Sequence, residues 1–538
     1  MGSTLSKTQR MRNVRFPHLW KTSSVVLFSP LGILALYCVF NAVLRAAISP
    51  TLGTDDMFEN VFVQDLRLGY ELRQPPLYEW LLYMVQQIVG PTIWSFQIVK
   101  YTCVFIAGVF IYAIAQLAIP SKSLAGLSLY SYVLLFQIGF NLHEGVTHTA
   151  VLMATTAMTT FYFVSLLLQR TLLKILVLGL VMGLGFLSKY SFIVVPIGLL
   201  FSACLLPYWR QKIKVADWVI GGGVALAIIS PFSSWVLTAD QSWPMSVQGV
   251  MLSGVSRAHW QSVFQGEVTL ALSLLGFASP LLPIFLGLYW RELFFKTHSD
   301  TPSLAVPKGS MADELTQLLM VFMLTAVTVA AVGIALSGAT YIKERLMHPF
   351  LLLLPVYLFG TLARKPFSPQ KNWIMQWIIL GSVLLVFLVR TLGFLAPDTV
   401  SCGGTCRQMM PYARFVERLE HAFPEISRAT IVSLDDYTGG NMRAHFPKAR
   451  HKLGKFTPSI VSSQQCFLIW DAGTHETPVP LQSVLEKSRF KGDALSLAGQ
   501  IRAQSFFKVN WPHLWKEEGY RFSRWGVVRL EPANRICL

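Results

Sequence analysis

Apolar residues run in long blocks along this chain: 24–46, 93–118, 123–140, 147–168, 171–187, 191–208, 217–237, 265–290, 316–338, 345–363 and 373–395. Crossing the hydrocarbon core of a bilayer takes about 20 mainly apolar residues, so the pattern predicts about eleven transmembrane helices. Residues 76–90 are too short and too mixed to span. They predict a helix lying on the membrane surface, with Trp80 and Tyr83 as interfacial aromatics. Near residue 397 the pattern changes. Short runs at Ala429–Leu434, Cys466–Trp470 and Trp525–Leu530 predict strands, and Pro411–Ala422 predicts a helix. The expected fold is a polytopic α-helical membrane protein, 24–396, with a C-terminal soluble α/β domain, 397–538. Residues 1–23 form a cytoplasmic N-terminus, and 47–92 form a large first outer loop.

Composition removes the soluble classes. The chain is 53% hydrophobic and only 14% charged, with a mean hydropathy of +0.49. A soluble protein carries about a quarter charged residues, so neither a soluble globular enzyme nor a disordered chain fits. The net charge of +17 is better explained by retention of basic residues in cytoplasmic loops than by nucleic acid, since no compact basic motif with interleaved aromatics occurs. Lys7, Arg10, Arg12, Arg15 and Lys21 precede the first block, which reads as a retained anchor rather than a cleaved signal. With the N-terminus inside, the basic connections fall on the cytoplasmic side: Lys122, Arg170 and Lys174, Arg210 to Lys214, Arg291 to Lys308, and Arg364 to Lys371. An odd number of spans then leaves the tail outside. Four tail cysteines, Cys402, Cys406, Cys466 and Cys537, suit two disulfides in an oxidising compartment, with Cys402 closing on Cys406 and Cys466 on Cys537. A zinc site is the rival reading, and the His spacing supports it poorly. Cys38, Cys103 and Cys204 lie in apolar spans and read as inert.

The candidate chemistry sits in the outer connections. Asp55, Asp56 and Glu59 follow the first span. Carboxylates there can serve as general base or metal ligands, or Asp55 can simply cap a helix. Further candidates are Asn141, His143, Glu144, Thr147 and His148, then Arg257 and His259, then Tyr341, Lys343, Glu344 and Arg345. Lys100 and Lys189 lie within or between apolar blocks, where a charge needs a cavity or a partner unless it snorkels. Cations and carboxylates on one membrane face suit a reaction on an anionic lipid substrate.

These residues carry a resemblance. The run is Asp55-Asp56, Gln64, Leu66, Gly69-Tyr70 and Gln74-Pro75-Pro76-Leu77-Tyr78-Glu79-Trp80-Leu81. Thr147-His148-Thr149, Ser188-Lys189-Tyr190, Lys343-Glu344-Arg345 with Pro349, and Gly440-Asn441-Met442-Arg443 with Phe446-Pro447 follow. In this set the chain resembles the GT-C glycosyltransferases of the protein-mannosyltransferase-like superfamily. It looks most like the branch of rhizobial lipopolysaccharide galacturonosyltransferases and, more distantly, the aminoarabinose lipid A transferases. The chain departs from the pattern in having Asp-Asp where Asp-Glu is common. It also has Gly145 where an acid often lies near the Thr-His, with Glu144 one residue earlier.

The resemblance implies transfer of a sugar, with galacturonic acid the branch's suggestion. The donor would be a polyprenyl phosphate and the acceptor lipopolysaccharide core, lipid A or another envelope glycolipid. Configuration would invert, and the reaction would occur at the periplasmic face of a bacterial inner membrane. Asp55 or Asp56 would be base or metal ligand. Lys189, Lys343 and Arg345 would hold the lipid phosphate, with Arg73 and Lys100 as secondary candidates. Tyr70, Gln74, Tyr78, Glu144, His148, Tyr190, Arg257, His259 and Tyr341 would contact substrate. A divalent metal, if used, would sit on Asp56 and Glu144. The partners would be the lipid-linked donor, the glycolipid acceptor and membrane lipids, with no nucleic acid, and the enzyme would be a monomer. A protein Ser/Thr acceptor and a lipid-linked sugar flippase are the alternatives. The flippase reading lacks an inverted repeat.

Overall fold

A computed structural model describes residues 29–238, 259–295, 306–366, 368–398, 406–454, 456, 458, 465–487, 504–517, 519–532, 534, 536 and 537. All of the apolar blocks are helical over most of their described length. Among the described residues, six helices are long and apolar enough to cross a membrane: 30–48, 93–118, 148–168, 215–238, 311–337 and 370–395. Blocks 171–187, 191–208 and 345–363 form shorter apolar helices. The multi-pass membrane character is therefore plain in the structure.

The helices differ in what surrounds them. The best apolar window of 148–168 is 72% buried and that of 215–238 only 17%, so the first is central and the second turns most of its surface outward. Outward side chains such as Leu36, Val39, Phe40, Leu384 and Leu385 are apolar, as a lipid-facing surface requires. Helices 172–188 and 215–238 pack closely because Gly179 faces Gly221. A Cβ on Gly179 would lie 2.4 Å from the Gly221 carbonyl oxygen.

Two blocks are broken, and the breaks meet. Block 123–140 passes through a 3₁₀ turn at Ser131–Leu134 and a π turn at Gln137–Asn141. Block 265–290 divides into His259–Ala278 and Leu281–Phe294. Leu135 bridges to Pro280, and the Phe136 amide donates to the Ser279 carbonyl at 3.0 Å. Irregular backbone at membrane depth is tolerated where protein satisfies it. Three basic connections are stapled by acids: Arg170 to Asp217 at 2.6 Å, Arg364 to Asp313 at 2.9 Å and Lys371 to Glu292 at 2.8 Å.

The Leu77–Val89 helix buries Tyr78, Leu82 and Gln86, spaced four apart, and exposes Met84 and Ile88. Its burial is thus one-sided.

From Cys406 onward the chain folds around a sheet. Among the described residues its strands are β1 Thr430–Ser433, β2 Arg450–Leu453, β3 Cys466–Gly473, β4 Ser505–Asn510 and β5 Phe522–Leu530. Their order is β2-β1-β3-β5-β4. β1 runs parallel to β2 and β3, while β5 runs antiparallel to β3 and β4. Helix Tyr412–Ala422 buries Tyr412, Phe415, Val416 and Leu419 against this sheet. A disulfide joins Cys466 on β3 to Cys537. Cys406 is also disulfide-bonded, and Cys402 lies outside the described residues. The Cys466–Cys537 bond closes a span of 71 residues. Replacing both cysteines by Ala should lower the stability of this region by about 2–5 kcal/mol, read from thermal unfolding of the detergent-solubilised protein.

Candidate active site

The first outer loop lies between the helix bundle and the tail. Arg45, buried in the last turn of the first helix, donates to the Ser49 carbonyl at 2.7 Å and the Thr51 carbonyl at 2.5 Å. These bonds satisfy the C-cap carbonyl and one in the segment that follows, and so fix the chain's exit into the loop. Helix Asp56–Phe62 follows. Asp55 occupies its N-cap position but makes no capping hydrogen bond, so the capping reading of that residue fails.

The tail grips this loop from the other side. Ser49 and Thr51 hydroxyls donate to the Gln408 and Met410 carbonyls at 2.7 and 2.9 Å. The Leu52 amide donates to Asn441 Oδ1 at 2.8 Å, and Asn60 Nδ2 donates to the Gly440 carbonyl at 2.8 Å. Gly440 is required there, because a Cβ would fall 2.0 Å from the Met57 carbonyl oxygen. Buried Arg443 donates to Asn60 O, to Val63 O at 3.2 Å and to Gln86 Oε1 at 2.8 Å. Gln64 pairs with the His451 backbone of β2 in both directions, each at 2.9 Å.

The acidic pair faces two different environments. Asp56 is buried, and the charges that favour its ionised form are Lys100 and Arg45. Burial nevertheless raises its carboxyl above the usual range. Asp55 is half-buried. Burial raises it, Arg345 pulls it back, and Asp56 and Glu59 raise it further. Lys189, between two apolar helices, donates to Thr149 Oγ1 at 3.1 Å. Burial, with Arg345 and Arg73 nearby, brings its pKa down to about 8, and Asp55 acts in the opposite sense. Thus Asp55, Lys189, Arg345 and Arg73 form one electrostatic group. Asp56 and Lys100 belong to the group behind it.

The remaining candidates divide. Tyr190 donates to the Leu72 carbonyl at 3.0 Å and holds the loop's return. Gln74 closes a small bridge with Glu71. Tyr70 donates to the Asp65 carbonyl at 2.8 Å, a bond internal to the loop. Tyr78 is buried beside His148, ring centres 5.2 Å apart. His148 Nε2 lies 3.1 Å from Glu59 Oε1. Lys343 is exposed, 4.6 Å from the centre of the Tyr341 ring. His143, buried and held neutral by that burial, lies between the Tyr37 and Tyr101 hydroxyls, each at 2.7 Å. His259 contacts the Ala335 carbonyl at 3.1 Å, near the end of helix Met311–Ser337, rather than the acidic loop. Arg257 lies outside the described residues. Lys100 does not snorkel, being wholly buried.

Asp56 and Glu144 lie in one neighbourhood: a Cβ on Gly53 would fall 3.3 Å from the Glu144 carbonyl oxygen and 3.6 Å from Asp56 Oδ2. Glu144 Oε2 accepts from Gln408 Nε2 at 2.5 Å. Asp56 and Glu144 are both balanced by Lys100 and Arg45. Among the described residues, the group whose ligand atoms converge is Glu59, Glu79 and His148, within 4.8 Å of one another.

Residues 73–235 match the family described as dolichyl-phosphate-mannose-protein mannosyltransferase. The chain is 25% identical over 511 residues to the lipopolysaccharide core galacturonosyltransferase RgtA of Rhizobium johnstonii, covering 94% of this chain and 97% of that protein. It is 27% identical over 445 residues to RgtB of the same organism, covering 82% and 86%. The crystal structure of ArnT from Cupriavidus metallidurans bound to undecaprenyl phosphate superposes with a TM-score of 0.52 at 13% identity. That match covers 96% of this chain and all of the other, a likeness of fold.

The resemblance to the GT-C glycosyltransferases holds. The family segment contains Arg73, Lys100, His148 and Lys189, while Asp55, Asp56 and Arg345 lie outside it and reach the site through the fold. Sequence reasoning missed Arg45, Glu79 and Gln408. Arg45 carried one usable signal, a cation in the last turn of a spanning helix beside the acidic loop. Glu79 stood inside a recognised motif and was passed over as part of a surface helix.

Proposed function

We propose that this protein transfers galacturonic acid from a polyprenyl-phosphate donor to a hydroxyl of lipopolysaccharide core or a related envelope glycolipid. The carrying observation is the split of the acidic pair, which leaves Asp55 among the cations and Asp56 behind it. In this reading the acceptor oxygen attacks the anomeric carbon from the side opposite the phosphate. Its proton passes to Asp55, the carbon–oxygen bond to phosphate breaks, and configuration inverts. Lys189, Arg345 and Arg73 stabilise the phosphate as it leaves, which is electrostatic preorganisation at the developing charge. Lys343 is close enough in sequence to guide the incoming donor at the rim. Asp56 balances Lys100 and Arg45 and holds the loop.

The first loop and the tail are hydrogen-bonded together, so they share one side of the membrane. The Cys466–Cys537 disulfide supports an oxidising compartment, which in a bacterium is the periplasm. The names and sequence coverage of RgtA and RgtB support the acceptor class and the sugar.

The test is mass spectrometry of envelope lipids from wild-type and deletion strains. The deletion should lose a hexuronic acid residue from the lipopolysaccharide fraction. Loss confined to glycoproteins would overturn the acceptor assignment.

A pH profile follows from the same groups. Asp55 must be ionised, and its carboxyl is raised, so kcat/KM should fall on the acid side above the usual carboxylate range. Lys189 must be protonated to hold phosphate, so activity should fall as pH rises through about 8. Lys189→Arg should abolish that alkaline limb, because a guanidinium stays charged.

A further inference from the structure

Behind Asp55 lies a constellation that the transfer scheme does not use. Glu59 comes from the first-loop helix, Glu79 from the Leu77–Val89 helix, and His148 opens the central helix His148–Leu168. His148 Nε2 is 3.1 Å from Glu59 Oε1 and 3.8 Å from Glu79 Oε1. One ligand atom from each residue lies within 4.8 Å of the others. The Glu79 and His148 side chains are each only 3% exposed, so both groups are removed from water.

Three further observations point to a cation. Glu79 Oε2 and Glu59 Oε2 are buried with no hydrogen-bond partner. Leaving such atoms bare costs about 1–3 kcal/mol each. Nearby cations are committed elsewhere: Lys100 acts on Asp56, and Lys189 and Arg345 act on Asp55. Finally, the three residues come from three elements that need fixing to one another, since the first-loop helix is only seven residues long.

We infer that Glu59, Glu79 and His148 form a divalent transition-metal site. Two carboxylates and a neutral imidazole balance one divalent cation, whereas a single shared proton would leave one carboxylate uncompensated. Imidazole with carboxylate favours zinc or manganese over magnesium, and three protein ligands leave a position for water. Carboxylate and imidazole ligands bind a metal in their deprotonated forms, so binding weakens as pH falls. The ion would pin the first-loop helix to the bundle and thereby fix where Asp55 starts. The site stands on its own geometry, whatever sugar or acceptor the enzyme uses.

The experiment is metal analysis of the full-length protein in detergent, stripped with chelator and then reloaded with Zn²⁺. One zinc per chain is expected. Glu79→Gln, which mimics the protonated acid and so should preserve the fold, should weaken zinc binding at least tenfold. His148→Gln should do the same, while Glu144→Gln should retain zinc. Cobalt-loaded wild-type protein should show visible d–d absorption, a readout that needs no variant. Folded wild-type protein that takes up no zinc and gives no cobalt spectrum would overturn the site. So would unchanged zinc affinity in both Glu79→Gln and His148→Gln.

Discussion

Asp55→Asn is expected to lower kcat by roughly 10²–10⁴-fold, the usual worth of a general base, while the melting temperature stays near that of the wild type. Asp55 makes no capping bond and is half-buried, so its amide replacement removes little from the fold. Asp56→Asn should behave differently. Asp56 is buried opposite Lys100 and Arg45, and breaking a buried ionic set by removing one partner costs about 3–5 kcal/mol. That variant should lose stability first and activity as a consequence. Steady-state transfer kinetics beside thermal unfolding of both variants separate the roles. Equal loss of kcat with equal melting temperatures would remove the distinction between them.

Arg443→Ala is expected to reduce kcat by roughly 10²-fold, the cost of a misplacement of about 1 Å in a catalytic group. Arg443 stands in the tail, yet its guanidinium holds Asn60, Val63 and Gln86 at the membrane bundle. Removing it orphans buried acceptors on both the loop and the Leu77–Val89 helix. Donor KM should change little, since Lys189, Arg345 and Arg73 are untouched. Arg443→Lys should recover only part of the loss, because one ammonium cannot reproduce the planar fork. A variant that loses donor binding and keeps kcat would show that the tail contacts donor instead of positioning the loop.

Much of the fold was legible because a bilayer imposes a simple length rule. Every apolar block proved helical. The breaks at Ser131–Asn141 and Ser279–Pro280 were not legible, since the two irregular segments satisfy each other across the bundle. In the tail, β1, β3 and β5 were found from their apolar runs. β2 and β4 were missed, because Arg450-His451-Lys452 reads as polar and the apolar residues Phe506, Phe507 and Val509 of β4 form too short and interrupted a run. β2 is nevertheless buried, covered by the first loop through Gln64.

The site was legible as residue types and order, and less so as pairings. Lys189 was legible as a charge between apolar blocks, and Asp55 and Arg345 as charges in outer connections; in the fold the three act on one another. Asp56 and Glu144 were paired as metal ligands because they are the acids near the two loops. Three-dimensional packing sets Arg45 and Lys100 near both, and it also brings Glu59 and Glu79 to His148. Glu79 could not be placed from sequence, because an acid in an in-plane helix ordinarily faces water. The Gly440 to Arg443 motif was recognisable, but its purpose depended on a contact between segments about 380 residues apart.

The most direct test is a reconstituted transfer reaction. Purified protein in liposomes would receive synthetic polyprenyl-phosphate galacturonic acid and lipopolysaccharide lacking that sugar. The expected result is one added hexuronic acid per acceptor, with polyprenyl phosphate released in equal amount, and no product from Asp55→Asn. Donor that crosses the bilayer without any sugar reaching the acceptor would contradict the account and make the protein a carrier.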